Sequence, residues 1–368
     1  MQELKTIAWI PSSSIYLKNK IFDEKGSRDL VYQPFSELKK SLNTKGINAQ
    51  TYDLISDDTV IDIIVITRID YNFKNLIGLL RKNPKAKVIY IVTEEKTICP
   101  IHHKKLLKSV AFDKVLTWIP DWVDGDYFDH YFYPNPFRTL DNTVKFNQKK
   151  HIVMINTYHK ANFNKVGELY SLRVDIARFF LDHGLELYGS GWDQDRDISR
   201  HKNYKGRVES KIETMQNYKF AIAIENTGNE CGAVTEKIFD AMASGCVPIY
   251  FGAPDIEEYI PKTCFINLAD FKNLESLKYF LESITENEYN AYISEIKTFL
   301  NGPKYKKFTS YGFIDSINKA ISDIESNVPT TKNIYSIRYE WAIKLIFNLK
   351  LFLRRPRMIF EILVRSWL

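Results

Sequence analysis

Between Tyr218 and Phe271 the chain reads YKFAIAIENTGNECGAVTEKIFDAMASGCVPIYFGAPDIEEYIPKTCFINLADF, and no other stretch limits the fold as tightly. Phe220 to Ile224 is an unbroken apolar run of strand length. A strand without polar alternation is covered on both faces, as in a parallel sheet. Thr235 to Ser244 follows with Ile238, Ala241 and Met242 on one helical face, and Gly245 stops it. Cys246 to Phe251 is a second apolar, β-branched run, closed by Gly252 and Pro254. Strand, helix, strand is a parallel crossover. Ligands of open α/β sheets gather at the carboxyl ends of such strands, where Glu225, Asn226 and Thr227 stand here.

Lys237 is out of place on simple electrostatics. The first turn of a helix is its positive end and favours acids, which suits Glu236 and not Lys237. Two readings stand on local physics: a solvated Glu236–Lys237 pair on a surface helix, or an ammonium set to meet an anion at a helix N-terminus.

Phe220, Glu225-Asn226-Thr227, Val234-Thr235-Glu236-Lys237-Ile238, Val247-Pro248-Ile249, Gly252, Phe265-Ile266 and Asp270-Phe271 occur in that order. The set resembles the donor-binding signature of the α-1,3/4-fucosyltransferases, glycosyltransferase family 10, roughly F-x-x-x-x-E-N-[ST], V-T-E-K-[IL], V-P-[IV]-x-x-G and F-[IV]-x-x-x-D-F. One position departs. Many members carry Tyr before V-T-E-K, and Ala233 stands here. A donor contact from that ring is then missing or supplied elsewhere, which keeps a different sugar nucleotide open.

Composition excludes some alternatives. The chain has 368 residues, enough for two domains with full cores. A formal charge of +6 fits an anionic donor or an anionic membrane surface. No arginine-rich groove motif, zinc-finger spacing or helix-turn-helix signal points to nucleic acid. Cys99, Cys231, Cys246 and Cys264 form no CxxC pair and lack metal-site spacing, which reads as free thiols in a reducing compartment. The start, MQELKTIAWIPSSS, lacks a signal peptide's basic and apolar regions, and no run approaches the roughly 20 apolar residues of a membrane span. These features set the expectation of a cytoplasmic protein.

In chain order, Lys5–Ile10, Ile61–Thr67 and Lys87–Val92 read as strands and Gln33–Leu42 and Tyr71–Arg81 as helices. The alternation signals a Rossmann-type α/β domain over residues 1–137. No G-x-G-x-x-G follows the first strand, so a dehydrogenase dinucleotide site is not expected. Glu94 and Glu95 come just after the third of these strands. An acidic loop facing water and a catalytic carboxylate are both open there, and two adjacent carboxylates repel, which raises one pKa. His102 and His103 lie among lysines and read as a solvated basic face, with acceptor contact the lesser option. A polar stretch, residues 138–150, reads as a linker to a second domain over 151–330, with a strand at His151–Asn156, a helix at Ser171–His183 carrying Arg173 and Arg178, and a strand at Glu186–Tyr188. Lys205-Gly206-Arg207 is a basic turn open to phosphate contact or to covering the domain edge. A helix over Phe313–Ile324 is expected to pack back across the domain junction. The tail, 331–368, carries Arg338, Lys344, Lys350, Arg354, Arg355, Arg357 and Arg365 among Trp, Phe, Leu and Ile, and Pro356 divides it into two helices. It reads as a basic amphipathic segment for the inner face of an anionic membrane, through residues 335–368, or as a helix packed on the body or on a partner in a homodimer.

The resemblance implies the rest. The fold would be α/β of GT-B type: two Rossmann-like domains facing across a cleft, residues 1–137 binding the acceptor and 151–330 the GDP-fucose donor, with the amphipathic helical tail added. The donor would be GDP-fucose and the acceptor N-acetylglucosamine or glucose of a cell-surface glycan, with inversion at the anomeric carbon and an α-1,3 linkage, 1,4 remaining open. No D-x-D motif occupies a fitting place, so no divalent metal is expected to be required. Glu94 would be the base, by its match to a pattern like E-x-x-x-I-x-P, with Glu95 the near miss. Arg173, or Arg178 as the alternative, would touch the donor diphosphate. Lys237 would join Arg173 on the leaving GDP, Glu236 would hold a sugar hydroxyl, and Glu225, Asn226 and Thr235 would complete the donor site. A non-catalytic, membrane-associated nucleotide-sugar binding protein is the reading outside enzymes.

Overall fold

The computed structural model describes residues 5–96, 98, 99, 102–108, 112–140, 144–159 and 166–326. They form two units, one of the chain up to Pro136 with the stretch from Ser310, the other Phe137–Thr309. The polar stretch read as a linker therefore groups with the second unit, and the helix from Ser310 groups with the first. The tail read as amphipathic, 335–368, lies outside the described residues.

In the first unit, β1 (Lys5–Ile10), β2 (Ile47–Thr51), β3 (Ile63–Ile66), β4 (Lys87–Ile91), β5 (Lys114–Thr117) and β6 (Phe128–His130) form one sheet in the order β2-β1-β3-β4-β5-β6. Every neighbouring pair is parallel. The strand order reverses between β1 and β3, so their carboxyl ends, Pro11–Ser12 and Thr67–Arg68, flank the sheet's switch point. Helices α1 (Gln33–Thr44) and α2 (Ile69–Lys82) and the single turn α3 (Lys104–Leu107) connect the strands. Pro34 stands in the first turn of α1, where its missing N–H costs nothing.

The second unit has five parallel strands, β7 (Lys150–Ile155), β8 (Leu185–Tyr188), β9 (Tyr218–Ile224), β10 (Val247–Phe251) and β11 (Ile266–Asn267), in the order β11-β10-β9-β7-β8. Here the order reverses between β7 and β9. Their helices are α4 (Tyr170–Phe180), α5 (Arg196–Arg200), α6 (Lys211–Met215), α7 (Glu236–Ala243), α8 (Ile256–Tyr259), α9 (Leu274–Ser283), α10 (Glu286–Leu300) and α11 (Pro303–Lys306). Ile222, Ile224, Val247 and Ile249 meet Ile152, Met154, Ile176 and Phe180 in one buried cluster, as the uninterrupted apolar runs require. At the amino end of the sheet the ammonium of Lys149 donates to three carbonyls, Gln216 (2.8 Å), Tyr218 (3.1 Å) and Gly245 (2.9 Å). It ties the start of β7 to β9 and to the turn before β10.

The last described helix, α12 (Ser310–Glu325), packs in the first unit, with Phe313 edge-on to Phe35 of α1 at 5.2 Å. Charge fixes it too. Buried Lys114 of β5 lies 3.1 Å from Asp129 and 3.0 Å from Asp323, and Lys319 reaches the same two carboxylates at 2.8 and 2.7 Å. Among the described residues no helix is long and apolar enough to cross a membrane.

Candidate active site

The crossover read from the sequence delivers its side chains to the carboxyl end of β9. Glu225 follows the strand and is fully buried. A carboxylate without water needs several donors. Thr235 supplies two, its N–H to Oε1 at 2.8 Å and its hydroxyl to Oε2 at 2.7 Å. Lys237 supplies a third, from Nζ to Oε2 at 3.0 Å, and also donates to Thr235 Oγ1 at 2.8 Å. Thr235 occupies the N-cap of α7 but its side chain makes no cap bond, because it points to Glu225. Gly252, after β10, makes room: a Cβ there would lie 2.4 Å from Glu225 Cγ. Lys237 is therefore not a solvated surface lysine. Its side chain is 15 % exposed and is aimed back over the strand end.

Glu236 lies 3.5 Å from the same ammonium. Burial works against its charge, yet Lys237 and Lys211 more than offset that and bring its pKa down to about 2. It is thus an ionised acceptor at any working pH and does not shuttle protons. Lys211 was not singled out in the sequence. It reaches Asp240 of α7 at 3.6 Å, and Arg138 reaches the other oxygen at 3.5 Å. The available signal was Asp240 itself, an acid on the buried face of a helix, which requires a cation nearby.

Arg173, on α4, is buried and arrives at the same strand end from the other direction. Its Nη2 donates to the Ile224 carbonyl at 2.6 Å and to Asn226 Oδ1 at 2.9 Å, and its guanidinium lies over the Tyr170 ring at 5.0 Å. Arg173, Glu225, Asn226, Thr235, Glu236 and Lys237 thus assemble around residues 224–226. Arg178 does not join them; it is 55 % exposed and bridges to Asp195 at 2.7 Å. Arg207, in the basic turn, is exposed. Ala233 is buried in the loop before α7.

In the first unit Glu94 and Glu95 part company. Glu95 is buried at 2 % exposure, while Glu94 lines a cavity of about 180 Å³ with Tyr16, Tyr32, Phe35, Tyr131 and Phe313. Arg68, at the start of α2, lies 4.0 Å from Glu94 Oε1. Two hydroxyls around the carboxylate, those of Tyr16 and Tyr131, resist ionisation. Burial raises the Tyr131 pKa, as does the Glu94 charge, and burial, Tyr32 and Glu94 raise that of Tyr16.

The basic face expected at His102 is corrected by the fold. His102 is 1 % exposed; its Nδ1 meets the Glu94 carbonyl and its Nε2 lies 2.7 Å from the Tyr90 hydroxyl. A carbonyl accepts, so Nδ1 carries a proton and donates it to the backbone that carries Glu94, and the histidine anchors that backbone. Nearby lysines implied solvent; the aromatic partners Tyr90 and Phe112, stacked at 4.8 Å, were the missed signal.

Residues 169–332 match the profile described as "Glycosyltransferase family 10 (fucosyltransferase) C-term". An α-(1,3)-fucosyltransferase B of Drosophila melanogaster is 33 % identical over 130 residues, 33 % of this chain and 28 % of that protein. The α-(1,3)-fucosyltransferase FucT of Helicobacter pylori is 39 % identical over 87 residues, 23 % of this chain and 18 % of that one. An α-(1,4)-fucosyltransferase of Arabidopsis thaliana is 39 % identical over 83 residues, 21 % of this chain and 20 % of that one. The matches span less than a third of these relatives' length. A crystal structure of an α1,3-fucosyltransferase superposes with a TM-score of 0.56 at 16 % identity, covering 90 % of this chain and 91 % of that one. A DNA-modifying β-glucosyltransferase gives 0.52, covering 86 % and 99 %. These likenesses show the shared α/β fold of GT-B type. The ordered signature from Glu225 to Phe271 falls inside that profile match, so residues 169–332 carry a C-terminal domain of glycosyltransferase family 10, the fucosyltransferases.

Proposed function

We propose that the protein transfers fucose from GDP-fucose to a hydroxyl of an acceptor glycan, as an inverting α-1,3-fucosyltransferase. The observation that carries this reading is the Glu225–Thr235–Lys237 cradle at the β9–α7 turn, with Arg173 fixed to the same strand end. Glu94 accepts the proton of the attacking acceptor hydroxyl. The new C1–O bond forms as the bond from C1 to the phosphate oxygen breaks, and GDP departs with that electron pair. Lys237 and Arg173 oppose the charge growing on the diphosphate, the point at which fixed positive groups help most. Glu236, ionised, accepts hydrogen bonds from sugar hydroxyls, and Asn226 and Thr235 orient the donor through the groups they hold. Two cations supply the charge, so transfer is expected to persist in EDTA. Residues 335–368 bind an anionic membrane from the cytoplasmic side in this reading, which cosedimentation with anionic vesicles tests.

Incubation with GDP-fucose and a panel of galactose/N-acetylglucosamine glycans, read by mass spectrometry, tests the reaction. A mass gain of one deoxyhexose on a glycan is expected. Transfer from a UDP-sugar instead would move the donor assignment to another nucleotide, the alternative that Ala233 keeps open.

A further inference from the structure

The carboxyl end of the first unit's sheet holds a second cavity beside the one at Glu94. The Glu94 cavity, about 180 Å³, has room for roughly six waters at about 30 Å³ each, the bulk of a single pyranose ring. The second is about 510 Å³, within the roughly 300–1,000 Å³ of small-molecule sites. It is lined by Pro11, Ser12 and Arg68, which stand at the β1/β3 switch point, the place where open α/β sheets take ligands.

Its walls are polar, and part of that polarity is not used by the fold. Asn72 holds the floor: its amide donates to the Pro11 and Arg68 carbonyls, both at 2.9 Å, and its Oδ1 accepts from Asn75 at 3.1 Å. Ser13 Oγ accepts from Ile15 N–H at 3.5 Å. The hydroxyls of Ser12, Ser14 and Tyr52 and the amide oxygen of Asn75 make no hydrogen bond with any described residue. The two cavities adjoin. Ser12 lines both, and Arg68 in the wall of one lies 4.0 Å from Glu94 in the wall of the other. That carboxylate offsets the guanidinium, so the crevice offers neutral donors and acceptors in place of a net positive field.

We infer that this crevice is a second acceptor subsite for an uncharged oligosaccharide. The sugar to be fucosylated occupies the Glu94 cavity, and the sugars joined to it lie along Ser12, Ser14, Tyr52 and Asn75. The inference rests on the proposed transfer for what happens at Glu94, and on the crevice alone for binding.

The test compares N-acetylglucosamine, its disaccharide with galactose, and the tetrasaccharide of two such units, with GDP-fucose as donor. The same glycans without donor are followed by saturation-transfer NMR. The wild type is expected to favour the tetrasaccharide over the monosaccharide in kcat/KM by about tenfold or more. Tyr52→Phe and Asn75→Ala should each cut that ratio by roughly threefold or more, as loss of a neutral hydrogen bond does. Ser14→Trp should abolish the preference by filling the crevice. Saturation transfer should reach sugars beyond the terminal one in the wild type and fade in Ser14→Trp. A ratio near one in the wild type, a ratio untouched by all three variants, or NMR contacts confined to one sugar would overturn the inference. GDP release from GDP-fucose in water reads the donor side separately. Its absence counts against the proposed transfer, while the NMR contacts still decide the crevice.

Discussion

At the scale of single residues, the second unit holds its charges in pairs. Buried Glu225 positions Lys237, and the Lys237 ammonium also lowers the pKa of Glu236 to about 2. Thr235→Val keeps the N–H donor to Glu225 and removes the hydroxyl that bonds both Glu225 and Lys237, so it should destabilise the protein by about 1–3 kcal/mol and weaken GDP binding. Thermal melts with and without GDP check both effects. Glu94→Ala should lower transfer by roughly 10²–10⁴-fold with GDP affinity unchanged, since only the proton acceptor is lost. Turnover near normal in that variant would remove Glu94 from the mechanism. The sequence pointed to these positions because the motif residues are consecutive and the strand end is easy to read. It did not reveal Lys211, Arg138 or His102, whose roles depend on neighbours distant in the chain: Asp240 for the first two, Tyr90 and the Glu94 backbone for the third.

At the scale of elements, the long buried strands and the long amphipathic helices were legible, while the short inner strand β5, with KVLT, and the polar edges were not. The second unit's crossover matches its reading to within one or two residues at each end, since runs such as FAIAI fit only a strand covered on both faces. β2, with sequence INAQT, and β6, with FDH, escaped because they lie at the two edges of their sheet, where polar side chains replace apolar runs. The place of α12 was equally hidden. Its attachment runs through Lys319 and Lys114 to Asp323 and Asp129, contacts separated by about two hundred positions. Hydrogen bonds from Lys319 and Lys114 lower the Asp323 pKa from 3.8 to about 2. A folded pKa below the unfolded one means stability that is fully present above about pH 4 and lost as the pH falls toward about 2. Denaturation midpoints of wild type and Asp323→Asn should therefore differ at pH 6 and converge near pH 2. An unchanging difference would contradict the ion-pair account of this junction. Lys149→Met strips three carbonyls of their shared donor, so a loss of about 3 kcal/mol is expected, at about 2–4 °C of Tm per kcal/mol for a domain of this size.

At the scale of the whole molecule, two parallel sheets each offer a carboxyl-end site. One is rich in charge around β9 and the other lined by aromatic and hydroxyl groups around Glu94. The division fits the proposed transfer, which needs one site for a charged donor and one for a neutral acceptor. The general class was visible in the sequence through alternating strands and helices. The division of chain between units was not, because a helix that returns to the first unit carries no local mark of its destination. The central claim is that Lys237, held by Glu225 and Thr235, meets the donor diphosphate. Calorimetric titration of GDP into the wild type and Lys237→Met, with a melt to show that the variant is folded, tests it most directly. A folded variant that binds GDP at least about tenfold more weakly is the predicted result. Equal affinity in the two proteins would contradict it.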